Sequence, residues 1–225
     1  GCVTCGNGGA DLLFRLAFGL KPKKVLLPVP AFVEYEEAMT AAGAEMVYEP
    51  MTEEMRIPED VTERITEDID LMILCNPNNP TGLLTGRQQV LDILERAKEM
   101  HCRVLVDECF LEICREEEEY TVKPYLKQYP NLMILKSFTK LYAIPGVRLG
   151  YLLCADAEVI RKVNRAGQAW SVSHIAQCAG VAALSHPEYK AAVIDAVEKE
   201  LIYMKKEMAD LPLTLYDGRA NYLFF

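Results

Sequence analysis

Residues 71–107 read LMILCNPNNPTGLLTGRQQVLDILERAKEMHCRVLVD, in which two apolar runs flank a turn-rich loop and an amphipathic segment. The runs Leu71–Cys75 and Arg103–Asp107 lack polar alternation, which is typical of parallel strands covered on both faces. A helix is predicted over residues 87–100, because apolar side chains recur at helical spacing at Val90, Ile93, Leu94 and Ala97. The stretch therefore predicts a strand–helix–strand unit of an α/β fold.

The same alternation continues in both directions along the chain. Further apolar runs predict strands at Lys24–Val29, Leu132–Ser137 and 149–154. Further helical patterns lie at 11–18, 33–42, 157–163 and Pro187–Met208. Strands that alternate with helices in this way predict an α/β three-layer sandwich with a mostly parallel sheet.

The C-terminal part of the sequence predicts a boundary between two domains. The charge-laced helix Pro187–Met208 leads away from the sheet pattern, and short strand patterns follow at 213–216 and 222–225. We therefore expect a large domain over residues 1–186, and a linking helix with the start of a smaller domain over 187–225. The chain is expected to be truncated at both ends, since it starts just before a glycine loop and stops within a strand pattern.

Composition limits the classes of partner. The 225 residues carry a formal net charge of −9, which argues against nucleic acid and anionic membranes as partners. No apolar run approaches the roughly 20 residues that cross a bilayer. The eight cysteines are scattered, and the pair Cys2 and Cys5 has no second pair at zinc-site spacing, so no metal site is predicted. A reducing cytoplasm is the expected compartment.

Two loops have the composition of ligand-binding turns. The segment Gly6-Asn7-Gly8-Gly9-Ala10 precedes a helical pattern, and the free amides of a helix start bind anions; a plain glycine-rich turn is the alternative. Residues 76–82 follow a buried strand, at the edge where α/β sheets bind ligands; a turn before the next helix is the alternative. Asn79-Pro80 is the favoured position for a cis peptide bond.

Two charged side chains follow strand ends. Asp107 is a poorly solvated carboxylate that a protonated pyridine nitrogen would suit; a helix cap or a metal ligand is the alternative. Lys140, if partly desolvated beside a cationic ring, can lose its proton and attack an aldehyde; a surface lysine is the alternative. Ser137 and Arg148 can bind phosphate oxygens. With the two loops, these residues supply what an enzyme that uses pyridoxal phosphate (PLP) requires.

The order of these segments resembles that of a known family. After the glycine loop come Asn79-Pro80-Thr81-Gly82, Asp107, Ser137-Phe138-Thr139-Lys140 and, 148 − 140 = 8 positions later, Arg148. This order is similar to that of the class I and II aminotransferases of PLP fold type I, over residues 6–225. The resemblance is greatest to the branch that holds histidinol-phosphate aminotransferase and threonine-phosphate decarboxylase. It implies pyridoxal 5′-phosphate as cofactor and a homodimer as the assembly.

The resemblance also implies a role for each matching residue. Lys140 would form the Schiff base and carry the α proton, and Asp107 would pair with the pyridine nitrogen. Asn79 would bind the ring 3-oxygen, and Phe32 would stack on the ring, with core packing as the alternative. The cofactor phosphate would be held by the backbone amides of Gly9 and Ala10 and by the side chains of Ser137, Thr139 and Arg148.

Several features depart from the family pattern. Many members have a tyrosine three positions after the aspartate, but this chain has Phe110, which cannot donate to the 3-oxygen. Phe110 and the stretch Gln168-Ala169-Trp170-Ser171-Val172-Ser173 resemble the decarboxylase branch. The family's N-terminal segment and its carboxylate-binding arginine have no counterpart in this sequence, so the identity of the substrate stays open.

The resemblance implies an enzyme that acts at the α carbon of an amino acid, phosphorylated or not. Two reactions stay open, transamination and decarboxylation of the threonine-phosphate type, and the local motifs lean towards the second. The alternative is a truncated chain that binds PLP or a partner without turnover.

Overall fold

The fold is built on a sheet of seven strands, described in a computed structural model that covers residues 2–225. The strands are β1 (Val3–Gly6), β2 (Lys24–Val29), β3 (Glu45–Pro50), β4 (Leu71–Cys75), β5 (Arg103–Asp107), β6 (Leu132–Ser137) and β7 (Gly150–Cys154). They lie in the order β1-β7-β6-β5-β4-β2-β3. All neighbours pair in parallel except β7, which runs antiparallel to both β6 and β1.

Helices cover both faces of the sheet. They are α1 (Gly9–Leu20), α2 (Val33–Ala41), α3 (Arg87–Glu99), α4 (Glu117–Tyr120), α5 (Phe138–Leu141), α6 (Ala157–Ala166), α7 (His174–Leu184) and α8 (Pro187–Met208). One apolar cluster packs α1, α2 and α6 on one face, and a second packs α3 on the other. Neighbouring strand residues alternate between the clusters: Ile73 belongs to the first and Leu74 to the second. The predicted three-layer α/β sandwich is confirmed.

The segment after α8 differs from its prediction. Residues 213–216 and 222–225 form no strands, and the backbone bond between them runs from Tyr216 N to Phe224 O at 3.1 Å. One such bond without a neighbouring ladder does not make a sheet. The proposed domain division between residues 186 and 187 stays a prediction. Within residues 2–225, no helix is long and apolar enough to span a membrane.

The reversed strand β7 brings the glycine loop to the same edge as the strand ends. Since β5 and β6 are parallel, Asp107 and Ser137 both lie at the carboxyl edge of the sheet. β7 begins at that edge, and Gly150 pairs there with Ser137 and with Gly6. A β carbon on Gly150 would lie 2.9 Å from the carbonyl carbon of Gly8, so this close approach requires glycine.

A buried ionic cluster lies beside this edge. The Lys136 ammonium, 1% exposed, lies 2.9 Å from Glu108 and 3.4 Å from Glu117, and Lys190 of α8 also pairs with Glu117. Glu108 accepts hydrogen bonds from Thr121 Oγ1 at 2.8 Å and from the Val122 amide at 2.9 Å. Lys136 and Glu108 directly adjoin Ser137 and Asp107 in sequence, so the cluster braces the two strand ends that carry them.

Candidate active site

The carboxyl edge of the sheet contains a cavity of about 180 Å³. The structure brings all of the sequence-predicted site residues to its wall: Gly9, Ala10, Phe32, Asn79, Asp107, Ser137, Thr139, Lys140 and Arg148. They come from six separate parts of the chain, and the sheet topology places them together. Their assigned roles remain predictions, but their common location is a structural fact.

Asp107 lies on the floor of the cavity, with 6% of the residue exposed. Its Oδ2 accepts a hydrogen bond from the Tyr35 hydroxyl at 2.7 Å, and its Oδ1 accepts one from the Cys109 amide at 2.8 Å. Burial raises the pKa of Asp107, although these two hydrogen bonds and the charge of Lys140 act to lower it. Both hydrogen-bond donors are neutral, so a cationic group in the cavity would stabilise the ionised carboxylate.

Lys140 lies on the one-turn helix α5, which begins directly after β6. Ser137 caps this helix, because its Oγ accepts a hydrogen bond from the Thr139 amide at 3.2 Å. The Lys140 Nζ lies 4.6 Å from the centre of the Phe110 ring, within cation–π distance. The partial desolvation expected for this lysine is not observed: the residue is exposed, because α5 projects it at the mouth of the cavity.

Another part of the cavity wall carries the hydrogen-bond donors of an anion site. Gly9 and Ala10 form the first turn of α1, whose amides are free to bind an anion. The Arg148 guanidinium lies so close to this turn that a β carbon on Gly8, at φ +86°, would be 2.7 Å from its Nη2. Ser137 Oγ and Thr139 Oγ1 lie 2.7 Å apart on the adjoining strand end. This donor set matches a phosphate dianion.

Arg148 has a backbone conformation that few non-glycine residues adopt. Its φ is +59° and its ψ is +72°, in the left-handed region. Its Nη1 donates to the Pro145 carbonyl at 3.3 Å, which holds the side chain on the cavity side. Strained backbone of this kind is concentrated at ligand-binding positions, where the surrounding structure maintains it.

Phe32 and Asn79 form the remaining walls. The Phe32 ring packs edge-to-face on Tyr35, with ring centres 5.6 Å apart. The loop that carries Asn79 is held by Asn78, whose Nδ2 donates to the Pro30 carbonyl and to Thr81 Oγ1, each at 3.1 Å. The peptide bond at Asn79-Pro80 is cis, as the sequence indicated, and those at Val29-Pro30 and Asn76-Pro77 are also cis.

Sequence reasoning missed three residues of the cavity floor: Tyr35, Cys75 and Cys109. Tyr35 is 1% exposed and follows Phe32 by one helical turn, and this spacing was a signal that it shares the cavity side. Burial raises the pKa of the Tyr35 phenol, as does the nearby Asp107 carboxylate, so the hydroxyl keeps the proton that it donates. No polar pattern marked the two cysteines, which act as small buried side chains.

The comparisons with known proteins agree with this geometry. A family model described as aminotransferase class I and II matches residues 2–225. The chain belongs to this family. The cofactor of the class I and II aminotransferases is pyridoxal 5′-phosphate, and the donor set, the buried carboxylate and the lysine of this chain fit it.

Two curated relatives show which members of the family this chain is similar to. The chain is 36% identical over 224 residues to the threonine-phosphate decarboxylase of Salmonella typhimurium, covering 98% of this chain and 61% of the relative. It is 30% identical over 224 residues to a histidinol-phosphate aminotransferase of Carboxydothermus hydrogenoformans, with the same two coverages. The chain therefore spans about three fifths of the length of these relatives.

Solved structures show the same fold. The histidinol-phosphate aminotransferase of Clostridium acetobutylicum superposes with a TM-score of 0.89 at 25% identity, covering 99% of this chain and 66% of that structure. The L-threonine-O-3-phosphate decarboxylase of Porphyromonas gingivalis superposes with a TM-score of 0.83 at 23% identity, covering 97% and 67%. Both coverages are consistent with a chain that corresponds to the larger part of each enzyme.

Replacing Asp107 by asparagine is expected to separate cofactor binding from stability. Asparagine can accept from the Cys109 amide and donate to the Tyr35 oxygen, so it preserves the local contacts but cannot pair with a cationic ring nitrogen. We expect Asp107→Asn to raise the dissociation constant for PLP at least about 30-fold. The control is Asp92→Asn at an exposed position of α3, and the measurement is fluorescence titration with PLP.

The same substitution is expected to leave the cofactor-free protein as stable as the wild type at pH 7, or more stable. Because burial raises the folded-state pKa of Asp107 above its unfolded value, stability falls as the pH rises from the unfolded pKa through the folded one. The buried, ionised carboxylate therefore destabilises the wild type at neutral pH, and this destabilisation is absent below about pH 4, where the carboxyl is protonated in both states. Urea unfolding at both pH values tests it, and a marked loss of stability at pH 7 would contradict the assignment.

Proposed function

We propose that this chain is the cofactor-binding part of a PLP-dependent enzyme that acts at the α carbon of an amino acid. One observation carries the proposal: Asp107, Lys140 and the anion site of Gly9, Ala10 and Arg148 face a single cavity. An anion site alone suits many phosphorylated ligands. A buried carboxylate at one end and a lysine at the mouth suit a phosphorylated cationic aldehyde in particular.

Each residue has a distinct task in this proposal. PLP, when bound, supplies an electron-withdrawing ring that takes up the electrons left at the α carbon when a bond there breaks. The Asp107 carboxylate, which Tyr35 and Cys109 hold in place, would stabilise a proton on the ring nitrogen. Lys140 Nζ would hold the aldehyde carbon of the cofactor and, once a substrate amine has displaced it, would carry a proton to or from the α carbon. Phe32 and Asn79 orient the ring.

We favour decarboxylation of an amino-acid phosphate of the threonine-phosphate type. The 36% identity to the Salmonella typhimurium threonine-phosphate decarboxylase supports this choice. So does Phe110, which places an aromatic ring without a hydroxyl 4.6 Å from the lysine nitrogen. The stretch 168–173, which also resembles that branch, is at the surface, with Trp170 95% exposed.

Transamination is the second candidate, supported by the histidinol-phosphate aminotransferase relatives. The two reactions differ in the bond that breaks at the α carbon and in the need for a 2-oxo acid. We expect the PLP-loaded protein to release carbon dioxide from L-threonine O-phosphate without 2-oxoglutarate, and Lys140→Ala to release none. Glutamate formation that depends on 2-oxoglutarate, without carbon dioxide release, would favour transamination instead.

The alternative of a catalytically incomplete chain gives a different result. A chain that spans 61% of its relatives can hold the cofactor while lacking substrate-binding groups. Cofactor binding without either product would support this alternative. The homodimer is a further proposal, and sedimentation of the PLP-loaded protein as a monomer at micromolar concentration would contradict it. The cytoplasmic location remains a prediction.

A further inference from the structure

The segment that follows α8 returns to the cavity wall and crosses the loop that carries Asn79. We call residues 218–222 the strap. The Arg219 amide of the strap donates to the Gly82 carbonyl at 2.7 Å. The two backbones are so close that a β carbon on Gly82, at φ +72°, would lie 3.1 Å from the Gly218 Cα. Ala220 is fully buried, so the strap is an integral part of the packed structure.

Tyr222, at the end of the strap, contacts the loop directly. Its hydroxyl donates to the carbonyl of Asn78 at 2.9 Å, and this residue immediately precedes Asn79. Burial raises the pKa of the Tyr222 phenol, so the hydroxyl keeps its proton and donates at neutral pH. This hydrogen bond fixes the backbone from which the Asn79 side chain projects.

The ring of Tyr222 makes a second, independent contact. It packs edge-to-face on Phe110, with ring centres 5.1 Å apart and planes at 86°. The Lys140 Nζ lies over the same Phe110 ring, at 4.6 Å from its centre. A phenylalanine at position 110 has no hydroxyl to fix its orientation, so its ring depends on packing, which Tyr222 supplies together with the neighbouring apolar clusters.

We propose that Tyr222 is a positioning residue that holds both Asn79 and the aromatic surface beneath Lys140. The inference rests on the proposed function, since it assumes that these two residues face the cofactor ring. The proposal links the segment after α8 to the cavity. If the strap were displaced, the loop that carries Asn79 and the Phe110 ring beneath Lys140 would lose their support together. If Tyr222 only filled space in the core, its replacement would leave the PLP affinity and the pH midpoint of the cofactor absorbance band unchanged.

The test compares Tyr222→Phe, which removes the hydroxyl and keeps the ring, with Tyr222→Leu, which removes both. The control is Tyr216→Phe, whose hydroxyl contacts the Glu53 carbonyl at 3.4 Å, outside the loop. We expect the dissociation constant for PLP to rise about 5-fold in Tyr222→Phe, from the loss of one hydrogen bond. A further rise of about 3-fold or more is expected in Tyr222→Leu, from the loss of the aromatic pair.

Two more readouts separate positioning from packing. An amide donor at the ring oxygen favours the deprotonated cofactor, so a loosened Asn79 should move the pH midpoint of the cofactor absorbance band upward in Tyr222→Phe. Hydrogen exchange of residues 78–82 in the cofactor-free protein should also be faster in Tyr222→Phe than in wild type and Tyr216→Phe.

The outcomes are distinct. Failure of the wild type to bind PLP overturns the proposed function, while the exchange measurement still tests the strap. The positioning role is overturned if Tyr222→Phe has the same PLP affinity, pH midpoint and exchange rates as the wild type. If Tyr222→Leu does not fold, the conservative Tyr222→Phe comparison decides the result alone.

Discussion

Replacing Lys140 by alanine is expected to abolish covalent attachment of the cofactor and to reduce turnover by on the order of 10⁴-fold or more. The proposed mechanism assigns both the bond to the aldehyde and the movement of the α proton to the Lys140 Nζ. No other lysine lines the cavity formed by the described residues, so no neighbouring amine can replace it. Phosphate binding should persist, since Gly9, Ala10 and Arg148 are unchanged.

Borohydride reduction provides the measurement. In the wild type it should fix PLP on a peptide that contains Lys140, which mass spectrometry identifies, and Lys140→Ala should give no such adduct. The control is Lys127→Ala, at an exposed position outside the cavity lining, which should label as the wild type does. Unchanged labelling of Lys140→Ala would refute the assignment of the attachment residue.

The second large effect is expected on stability, at the buried cluster of Lys136. Replacing this lysine by methionine keeps the length of the side chain but leaves the carboxylates of Glu108 and Glu117 buried without it. Removing one partner of a buried pair costs about 3–5 kcal/mol in the free energy of unfolding. For a chain of this size, the melting temperature should fall by roughly 6–20 °C.

The pH dependence of this effect follows from the charges around Lys136. Burial alone would lower the pKa of Lys136, but the carboxylates of Glu108, Glu112 and Glu117 outweigh it and raise the pKa above its ordinary value. Stabilisation from a raised lysine pKa is fully present below the unfolded value, about 10.4, and is lost as the pH rises through the folded value. The difference between wild type and Lys136→Met should thus be constant from pH 7 to 9.

Two further variants make the result specific. Lys136→Met combined with Glu108→Gln should recover part of the lost stability, because glutamine is neutral and still reaches Thr121 and Val122. Lys190→Met should cost below about 1 kcal/mol, since Lys190 is 37% exposed and solvent screens its pair with Glu117. Equal losses in Lys136→Met and Lys190→Met, measured by urea unfolding, would show that burial of the cluster is unimportant.

The central part of the fold was predictable because each buried element has a strong periodic pattern. The strands Leu71–Cys75 and Arg103–Asp107 are buried almost throughout, so their sequences are continuously apolar, and their predicted bounds match the structure. Strands β1 and β3 lie at the two edges of the sheet and bury fewer side chains. Their mixed composition therefore lacked the signal that marked the inner strands.

The cavity was predictable to the extent that its residues follow strand ends or form distinctive loops. Asp107, Ser137 and Asn79 each come directly or closely after an apolar run, and this position locates them without knowledge of the strand order. Tyr35 and Tyr222 were not predictable in this way, because their roles depend on contacts across the fold. Tyr222 contacts the cavity wall, at Phe110 and the Asn78 carbonyl, only because the chain after α8 turns back, and no local pattern records that return.

The division of the anion site between two distant parts of the chain bears on the order of folding. Its donors lie at Gly9 and Arg148, separated by 148 − 9 = 139 residues, and they meet only when β1 is inserted beside the reversed strand β7. Contacts of such long sequence separation form late, since the entropy of closing the loop must be offset first. The proposed cofactor site would therefore be complete only after β7, which ends at Cys154, has been synthesised and has paired with β1.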